Sequence, residues 1–383
     1  MQSRKIISFL LVLAAALSLA ACGAENAPPT EDAVTLTDMV GREVALTPGG
    51  YRRIVCIGAG ALRMYCYVGD VSLLCGVEDI DNLTLTERPK MFDAVARPYV
   101  LANEELFAAL PSCGVGGPNA QTAEAERILA CEPDLVLSEY GEVEKADALQ
   151  AQLGVPVVVL RTGQDGVFDP LFLQSVSLLG QVLGREAEAG ALAAFIEKEC
   201  AELSSRTENI SAQPAVYIGG LGNWGTADHL MTSPDYAAFD RLHIRNAAAA
   251  LGGKGIQPIE AEAFVALGED IDILFLDAAA VKNIAPLLAE DAALFDACKA
   301  WRTGEVYLQM AYNAYYTNME IALINAWFIG KTVYPDAFAD IDITAKTNEI
   351  TEAFLGEPLA EKIFACPASF GGYQRIDTQT FFG

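Results

Sequence analysis

Short, continuous apolar runs recur along the first 165 residues and predict buried β-strands. These runs occupy positions 53–57, 73–77, 134–138 and 155–160. Unbroken runs of this kind are typical of strands that are covered on both faces of a sheet. Apolar residues at helical spacing occur at 62–68, 121–131 and 143–153. The alternation of strand and helix predicts a lobe built on a parallel sheet, which we place at residues 34–165.

The pattern changes after this lobe and then returns. Residues 166–204 have only helical periodicity, with a break expected at Gly184 and Arg185, and they predict a helical spine. Residues 213–383 alternate again, with strands predicted at 215–219, 271–276 and 305–308 and helices at 236–251, 260–267 and 291–301. Near the end, Thr317 and Glu320 have capping-box spacing, and Gly330 is expected to stop the helix that follows. The chain is therefore predicted to form two α/β lobes whose loops face a shared crevice, the usual place for a ligand.

The amino-terminal segment carries the features of an export signal. Arg4 and Lys5 precede an apolar run at 6–21, which is short for a membrane span and has the length of a signal-peptide core. The small residues before Cys22 resemble the cleavage pattern of bacterial lipoproteins. We therefore predict a signal peptide at 1–21, lipid attached to Cys22, a tether at 22–33 and an extracytoplasmic protein anchored to the cell membrane. The alternative is an uncleaved anchor helix in which Cys22 is incidental.

Composition narrows the range of functions. Acidic residues outnumber basic ones 51 to 25, a net charge of −26, so a nucleic-acid backbone would be repelled. The two histidines, His229 and His243, are too few for a His-rich metal site, and the nine cysteines include no CxxC pair. We expect no bound metal ion, no cofactor and no nucleic-acid partner.

Several motifs, taken in order, resemble one family. Residues 38–44 (DMVGREV) are similar to its D-x-x-G-R-x-V start, residues 126–136 (ERILACEPDLV) to its E-x-I-x-A-L-x-P-D-L-V signature, and residues 300–307 (AWRTGEVY) to its A-V-K-x-G-x-V-Y turn. The chain thus resembles the bacterial substrate-binding proteins of ABC importers for iron-siderophores, haem and corrinoids. The resemblance implies two Rossmann-like parallel-sheet lobes joined by a rigid backbone helix. It also implies a protein without enzymatic activity, expected to be a monomer, that delivers a metal chelate to ABC permease subunits.

The same resemblance assigns permease docking to two glutamates. By motif position these are Glu126 in the first lobe and Glu262 in the second. Two carboxylates held at a fixed separation could set the docking register and steer association. The alternative is that each only complements the dipole at the start of its helix.

Candidate ligand-binding residues lie in loops that follow predicted strands, except for Arg63, which lies in the predicted helix 62–68. They are Arg63, Asn119, Tyr140, Asn223, Trp224, Tyr312, Asn313, Tyr315 and Tyr316. Aromatic faces with polar tips suit a large conjugated or chelated ligand, and arginine suits an anionic one. The alternatives are that some tyrosines pack inside the lobe and that the arginine forms a surface ion pair.

Two other functions remain open from the sequence. The same fold could bind a molybdate or tungstate oxyanion, since family members with similar tyrosine-rich loops take such ions. An exported α/β enzyme is disfavoured because the chain contains no G-x-S-x-G, HExxH or P-loop motif.

Overall fold

The computed structural model describes residues 33–120, 122–222 and 227–382. The described chain begins with an antiparallel hairpin of β1 (Val34–Thr37) and β2 (Glu43–Leu46). Asp38 accepts hydrogen bonds from the backbone of the turn and pairs with buried Arg42, whose Nη1 also donates to the carbonyl of Val157. The hairpin is thereby fixed to the edge of the first lobe.

The first lobe is a parallel sheet covered by helices. Its elements are β3 (Ile54–Ile57), α1 (Ala61–Val68), β4 (Leu74–Glu78), α2 (Pro98–Ala109), β5 (Ser112–Gly114), α3 (Ala125–Ala130), β6 (Leu135–Ser138), α4 (Val143–Leu153) and β7 (Val157–Val159). The five strands lie in the order β5-β4-β3-β6-β7, and all are parallel. The strand order reverses between β3 and β6, so the loops that leave these two strands diverge there and open a crevice.

Two helices link the lobes. These are α5 (Pro170–Leu183) and the 22-residue α6 (Glu186–Thr207). The break lies at the predicted position, where Gly184 takes a positive φ of 63°. The helices pack closely because Gly180 has no side chain, and a Cβ there would lie 2.7 Å from Cβ of Ala189.

The second lobe repeats the parallel α/β arrangement. Its elements are β8 (Ala215–Gly219), β9 (Met231–Thr232), α7 (Ala237–Arg241), β10 (Arg245–Asn246), β11 (Gln257–Pro258), α8 (Ala261–Gly268), β12 (Ile273–Asp277), α9 (Val281–Glu290), α10 (Ala292–Asp296), α11 (Lys299–Thr303), β13 (Val306–Gln309), α12 (Met319–Val333), α13 (Ile343–Leu355), α14 (Ala360–Ala365) and β14 (Gln374–Arg375). The main sheet has the order β10-β8-β12-β13-β14, in which only β14 runs antiparallel to its neighbour, and β9 pairs with β11 separately. The predicted fold of two parallel-sheet α/β lobes is confirmed.

Two predicted helices of the second lobe are wrong in extent. Within the segment 236–251 only α7 is α-helical, and Ala247–Leu251 forms a 3-10 helix. The α-helix ends because His243 takes a positive φ of 51° and Arg245–Asn246 then pairs with the edge of β8. The segment 291–301 is divided into α10 and α11, because the backbone N–H of Ala300 donates to Ile271 and turns the chain toward the sheet.

The two signals predicted around α12 are also wrong. The carboxylate of Glu320 does not cap the helix but accepts a hydrogen bond from the hydroxyl of Tyr67, and both side chains are buried. Gly330 does not end the helix, which continues to Val333. Its lack of a side chain instead admits Phe338, whose Cζ would lie 2.6 Å from an added Cβ.

The core is centred on α12, along which nearly every side chain is buried. The eight cysteines of the described residues are free thiols, and all but Cys366 are buried. None of the described helices is long and apolar enough to cross a membrane.

Candidate functional site

A cleft of about 350 Å³ opens between the two lobes. Its walls are Ala59, Gly117, Pro118, Ala120, Glu139, Tyr140, Arg161, Thr162, Gly163, Gln164, Leu171 and Tyr316. Most of these residues follow the carboxyl ends of β3, β5, β6 and β7, and Tyr316 is contributed by the second lobe. The cleft therefore lies at the strand-order reversal of the first lobe, where α/β sheets bind ligands.

Arg161 is the exposed cationic group of the cleft. Its backbone is fixed by α5, because Ser175 accepts a hydrogen bond from its N–H and donates one to its carbonyl. The guanidinium lies against Gly141, where an added Cβ would be only 2.0 Å from Nη1. The side chain forms no ion pair or hydrogen bond with the described residues, so its charge is available to an anionic ligand.

Glu139 also lines the cleft beside this arginine and forms no ion pair with it. Burial raises the pKa of its carboxyl well above the usual range, and the opposing effects of Arg161, Arg63 and Thr162 do not cancel this increase. Burial therefore disfavours the ionised form of this carboxyl beside Arg161.

Groups from the first lobe hold the loop that carries Tyr316. Arg63, only 1% exposed, donates from Nη2 to the carbonyls of Ala314 and Tyr315, at 2.8 and 2.9 Å, and from Nε to Oδ1 of Asn318. Glu78 accepts a 2.6 Å hydrogen bond from the hydroxyl of Tyr315. These contacts join the two lobes directly behind the cleft.

The same loop has a strained backbone. Tyr315 and Tyr316 have φ values of 52° and 69°, a region that is unfavourable for residues with a Cβ. Tyr315 is buried and packs near Phe92, whereas Tyr316 is 43% exposed and reaches the cleft. The contacts from Arg63 and Glu78 hold this conformation, which turns Tyr316 toward the first lobe.

Some of the predicted ligand-binding residues lie at the cleft, and another lies at a separate cavity. Tyr140 and Tyr316 line the cleft, and Asn119 is exposed between two of its lining residues, Pro118 and Ala120. Tyr312 borders a separate small cavity of about 40 Å³, which also includes Gln164.

The other predicted residues do not line the cleft. Asn313 is half-buried and accepts a hydrogen bond from Thr317, while Tyr315 and Arg63 belong to the buried contact between the lobes. Asn223, Trp224 and the lipidation residue Cys22 lie outside the described residues.

Glu126 and Glu262 occupy equivalent positions in the two lobes. Each is exposed in the first turn of the helix, α3 or α8, that precedes a central strand of its sheet. Neither carboxylate has an ion-pair or hydrogen-bond partner among the described residues. Both side chains are thus accessible to a partner protein.

Sequence reasoning missed Glu139, Arg161 and Thr162. A signal for them existed, because all three directly follow the predicted strands 134–138 and 155–160. Tyr140 was chosen because it follows the end of a predicted strand, and the same reasoning would have selected these three residues. Within the described part of the chain, no group of three or more His, Cys, Asp or Glu side chains is arranged to hold a metal ion.

The fold and the interlobe cleft define a two-lobe binding protein. Residues 79–312 match a family model described as periplasmic binding protein, so the chain belongs to the periplasmic binding protein family. It is thus a substrate-binding protein of the ABC-transporter type, located outside the cytoplasm, and not an enzyme. No curated protein matches the chain.

Solved structures share the fold at low sequence identity. A periplasmic solute-binding protein from Veillonella parvula is 18% identical with a TM-score of 0.67, covering 92% of this chain and 100% of its own. The molybdate-binding protein MolA of Haemophilus influenzae, solved with molybdate, is 17% identical with a TM-score of 0.63, covering 85% and 98%. The haem-binding protein HutB of Vibrio cholerae is 16% identical with a TM-score of 0.51, covering 74% and 99%.

Proposed function

We propose that this protein is the lipid-anchored capture component of an ABC importer for an iron chelate, haem or a corrinoid. Lipid on Cys22 holds it at the membrane, and the ligand occupies the cleft between the lobes. The protein acts as a monomer and passes the ligand to the permease subunits.

The observation that carries this proposal is the size and chemistry of the cleft. Its volume of about 350 Å³ lies in the ~300–1,000 Å³ range of pockets for organic ligands. Tyr140 and Tyr316 offer aromatic faces with polar tips, and Arg161 offers a positive charge. This combination suits a bulky, conjugated, anionic chelate better than a small apolar molecule.

Docking to the permease depends on Glu126 and Glu262. Their exposure and their matching places in the two lobes support a role as a pair of contacts with basic pockets on the permease. Asn223 and Trp224 stay candidates for ligand contact by their place after β8.

A second candidate ligand is a molybdate or tungstate oxyanion. Its support is the structural similarity to MolA, together with the unpaired guanidinium of Arg161 in the cleft. Such an ion is small relative to the cleft, so it would leave the two tyrosine rings without a contact.

The test is a thermal-shift panel on the purified full-length protein in detergent. A ligand at a hundredfold excess over its Kd stabilises the native state by ~2.7 kcal/mol. Ferric tris-catecholate, ferric tris-hydroxamate, haemin and cobalamin would be compared with molybdate and tungstate, in wild type and in Tyr316→Ala. The proposal expects stabilisation by an organic chelate that Tyr316→Ala weakens. Stabilisation by the oxyanions alone would establish the second candidate instead.

A further inference from the structure

The helices α3 and α8 carry the same short sequence pattern in the two lobes. Residues 124–130 read EAERILA and residues 260–266 read EAEAFVA, so the first, second, third and last positions are identical and the fifth and sixth are apolar in both. The exposure of the seven side chains also agrees position by position. Each helix precedes an interior strand of its sheet, β6 or β12. The two segments are therefore equivalent surfaces on the two lobes.

Equivalent contacts hold both helices against their sheets. Ile128 and Phe264, at the fifth position of the pattern, are fully buried. Asp134 and Asp272, which directly precede β6 and β12, accept hydrogen bonds from backbone N–H groups at the entry to β3 and β8, at 2.9 and 2.8 Å. The orientation of each helix is thereby fixed, and the residue after the buried one faces outward.

The outward-facing residue is a large apolar one in both lobes. Leu129 is 43% exposed and Val265 is 45% exposed, each three positions after the exposed Glu126 or Glu262. Side chains at this spacing lie on the same face of a helix, with Cβ atoms about 5–6 Å apart. A single exposed apolar residue is ordinary on a protein surface. Its repetition beside an exposed glutamate in both lobes is not explained by packing, because the preceding residue makes the core contact of each helix.

We propose that Leu129 and Val265 are apolar contacts with the ABC permease, one beside each glutamate assigned to docking. The carboxylate would meet a basic side chain of the permease, and the apolar side chain would be buried in the same interface. Arg127, the cation next to Glu126, already pairs with Asp79 at 3.0 Å and leaves the glutamate to the partner. Because the surface occurs twice, it fits a partner that presents the same basic and apolar surface twice, as a permease of two similar subunits would.

The partner is identified first, by photo-crosslinking in cells. The full-length protein carries p-benzoylphenylalanine in place of Leu129 or Val265, and the cross-linked products are identified by mass spectrometry. We expect a permease subunit at both positions. The controls are the same replacements at Val34 and Leu251, which are 42% and 39% exposed in other parts of the two lobes and should give no permease product. Cross-links from 129 and 265 only to a second copy of this chain, or to no permease subunit, would overturn the proposal.

The contribution of the two apolar side chains is then measured as affinity for the captured permease, purified in detergent. Leu129→Ser combined with Val265→Ser should weaken binding of the full-length protein about tenfold at both low and high salt, because charge screening does not weaken apolar burial. Leu129→Ile combined with Val265→Ile keeps the apolar surface and should stay within about threefold of wild type. The melting temperature should be unchanged in both double variants, since the substituted side chains lie on the surface.

The inference rests on the proposed docking through Glu126 and Glu262, and the response to salt separates the two. The loss of affinity in Glu126→Ala combined with Glu262→Ala should be largest at low salt and should shrink as salt screens the charges. If the alanine variant weakens binding and the serine variant does not, the apolar contacts are wrong and the docking assignment stands. If neither variant weakens binding, the docking assignment fails together with the apolar contacts.

Discussion

Glu78 makes the stability of the contact between the lobes depend on pH. Its carboxyl is buried, accepting hydrogen bonds from the Tyr315 hydroxyl and from the backbone N–H of Gly58, at 2.6 and 3.1 Å. Burial raises its pKa from an ordinary 4.5 to about 7; the two hydrogen bonds oppose this increase, and Asp81 and Glu124 add to it. The native state therefore binds a proton between pH 4.5 and about 7 that the unfolded chain has already lost.

The sign and size of the effect follow from this difference. Because the folded pKa is raised, the stabilisation by protonated Glu78 is fully present below about pH 4.5 and is lost as pH rises toward 7. Each pKa unit corresponds to about 1.36 kcal/mol, so the interval is worth up to about 3 kcal/mol. Glu78→Gln mimics the protonated carboxyl and removes this dependence.

The measurement is urea unfolding of wild type and Glu78→Gln at several pH values between 4.5 and 8, without ligand. The variant should gain free energy of unfolding relative to wild type as pH rises. Asp277→Asn is a matched control in the second lobe, since burial also raises the pKa of Asp277 to about 7, and its effect should add to that of Glu78→Gln. Parallel curves for wild type and Glu78→Gln across this range would refute the reasoning.

Three further predictions concern docking, packing and the thiols. Glu126→Ala combined with Glu262→Ala should abolish uptake by cells and leave ligand-induced thermal stabilisation of the purified protein intact. The control is Glu361→Ala, which removes an exposed first-turn glutamate from α14 and should leave uptake normal. Normal uptake by the double variant would disprove the docking assignment. Gly330→Ala should lower the free energy of unfolding by about 1–3 kcal/mol because the new Cβ would collide with Phe338. Gly190→Ala in α6, where a Cβ meets no atom within 4 Å, should instead be neutral or stabilise by up to ~1 kcal/mol, and equal urea midpoints for the two variants would contradict the packing argument. The buried cysteines should react with a maleimide slowly in the folded protein and rapidly in urea; fast labelling of the folded form would show that they are accessible.

Much of the fold could be predicted because its signals are local. Continuous apolar runs marked the central strands of both sheets to within about two residues, since a buried parallel strand needs apolar residues on both faces. The helix 143–153 was predicted with the bounds that α4 has in the structure. These elements depend mainly on their own sequences.

The errors occur where a distant contact overrides a local signal. The alanine-rich segment 236–251 has high helix propensity, yet Arg245–Asn246 gains more by pairing with β8. Glu320 has capping-box spacing, but its partner is Tyr67, 253 positions away. The candidate site shows the same limit: Arg63 was selected as a charge that could neutralise an anionic ligand, and its contacts with the 314–318 loop depend on how the two lobes meet.

The arrangement of charge in the cleft resolves an apparent conflict in the composition. A protein with 51 acidic and 25 basic residues should repel an anionic ligand, but surface charges are screened beyond about 8–10 Å at physiological salt. Within that distance the cleft presents Arg161, with Arg63 behind it, and burial disfavours ionisation of the Glu139 carboxyl. The acidic exterior instead favours approach to the basic pockets proposed on the permease. Added salt should therefore change the two association rates in opposite directions. It should speed the binding of an anionic chelate to this protein and slow the docking of this protein to the permease.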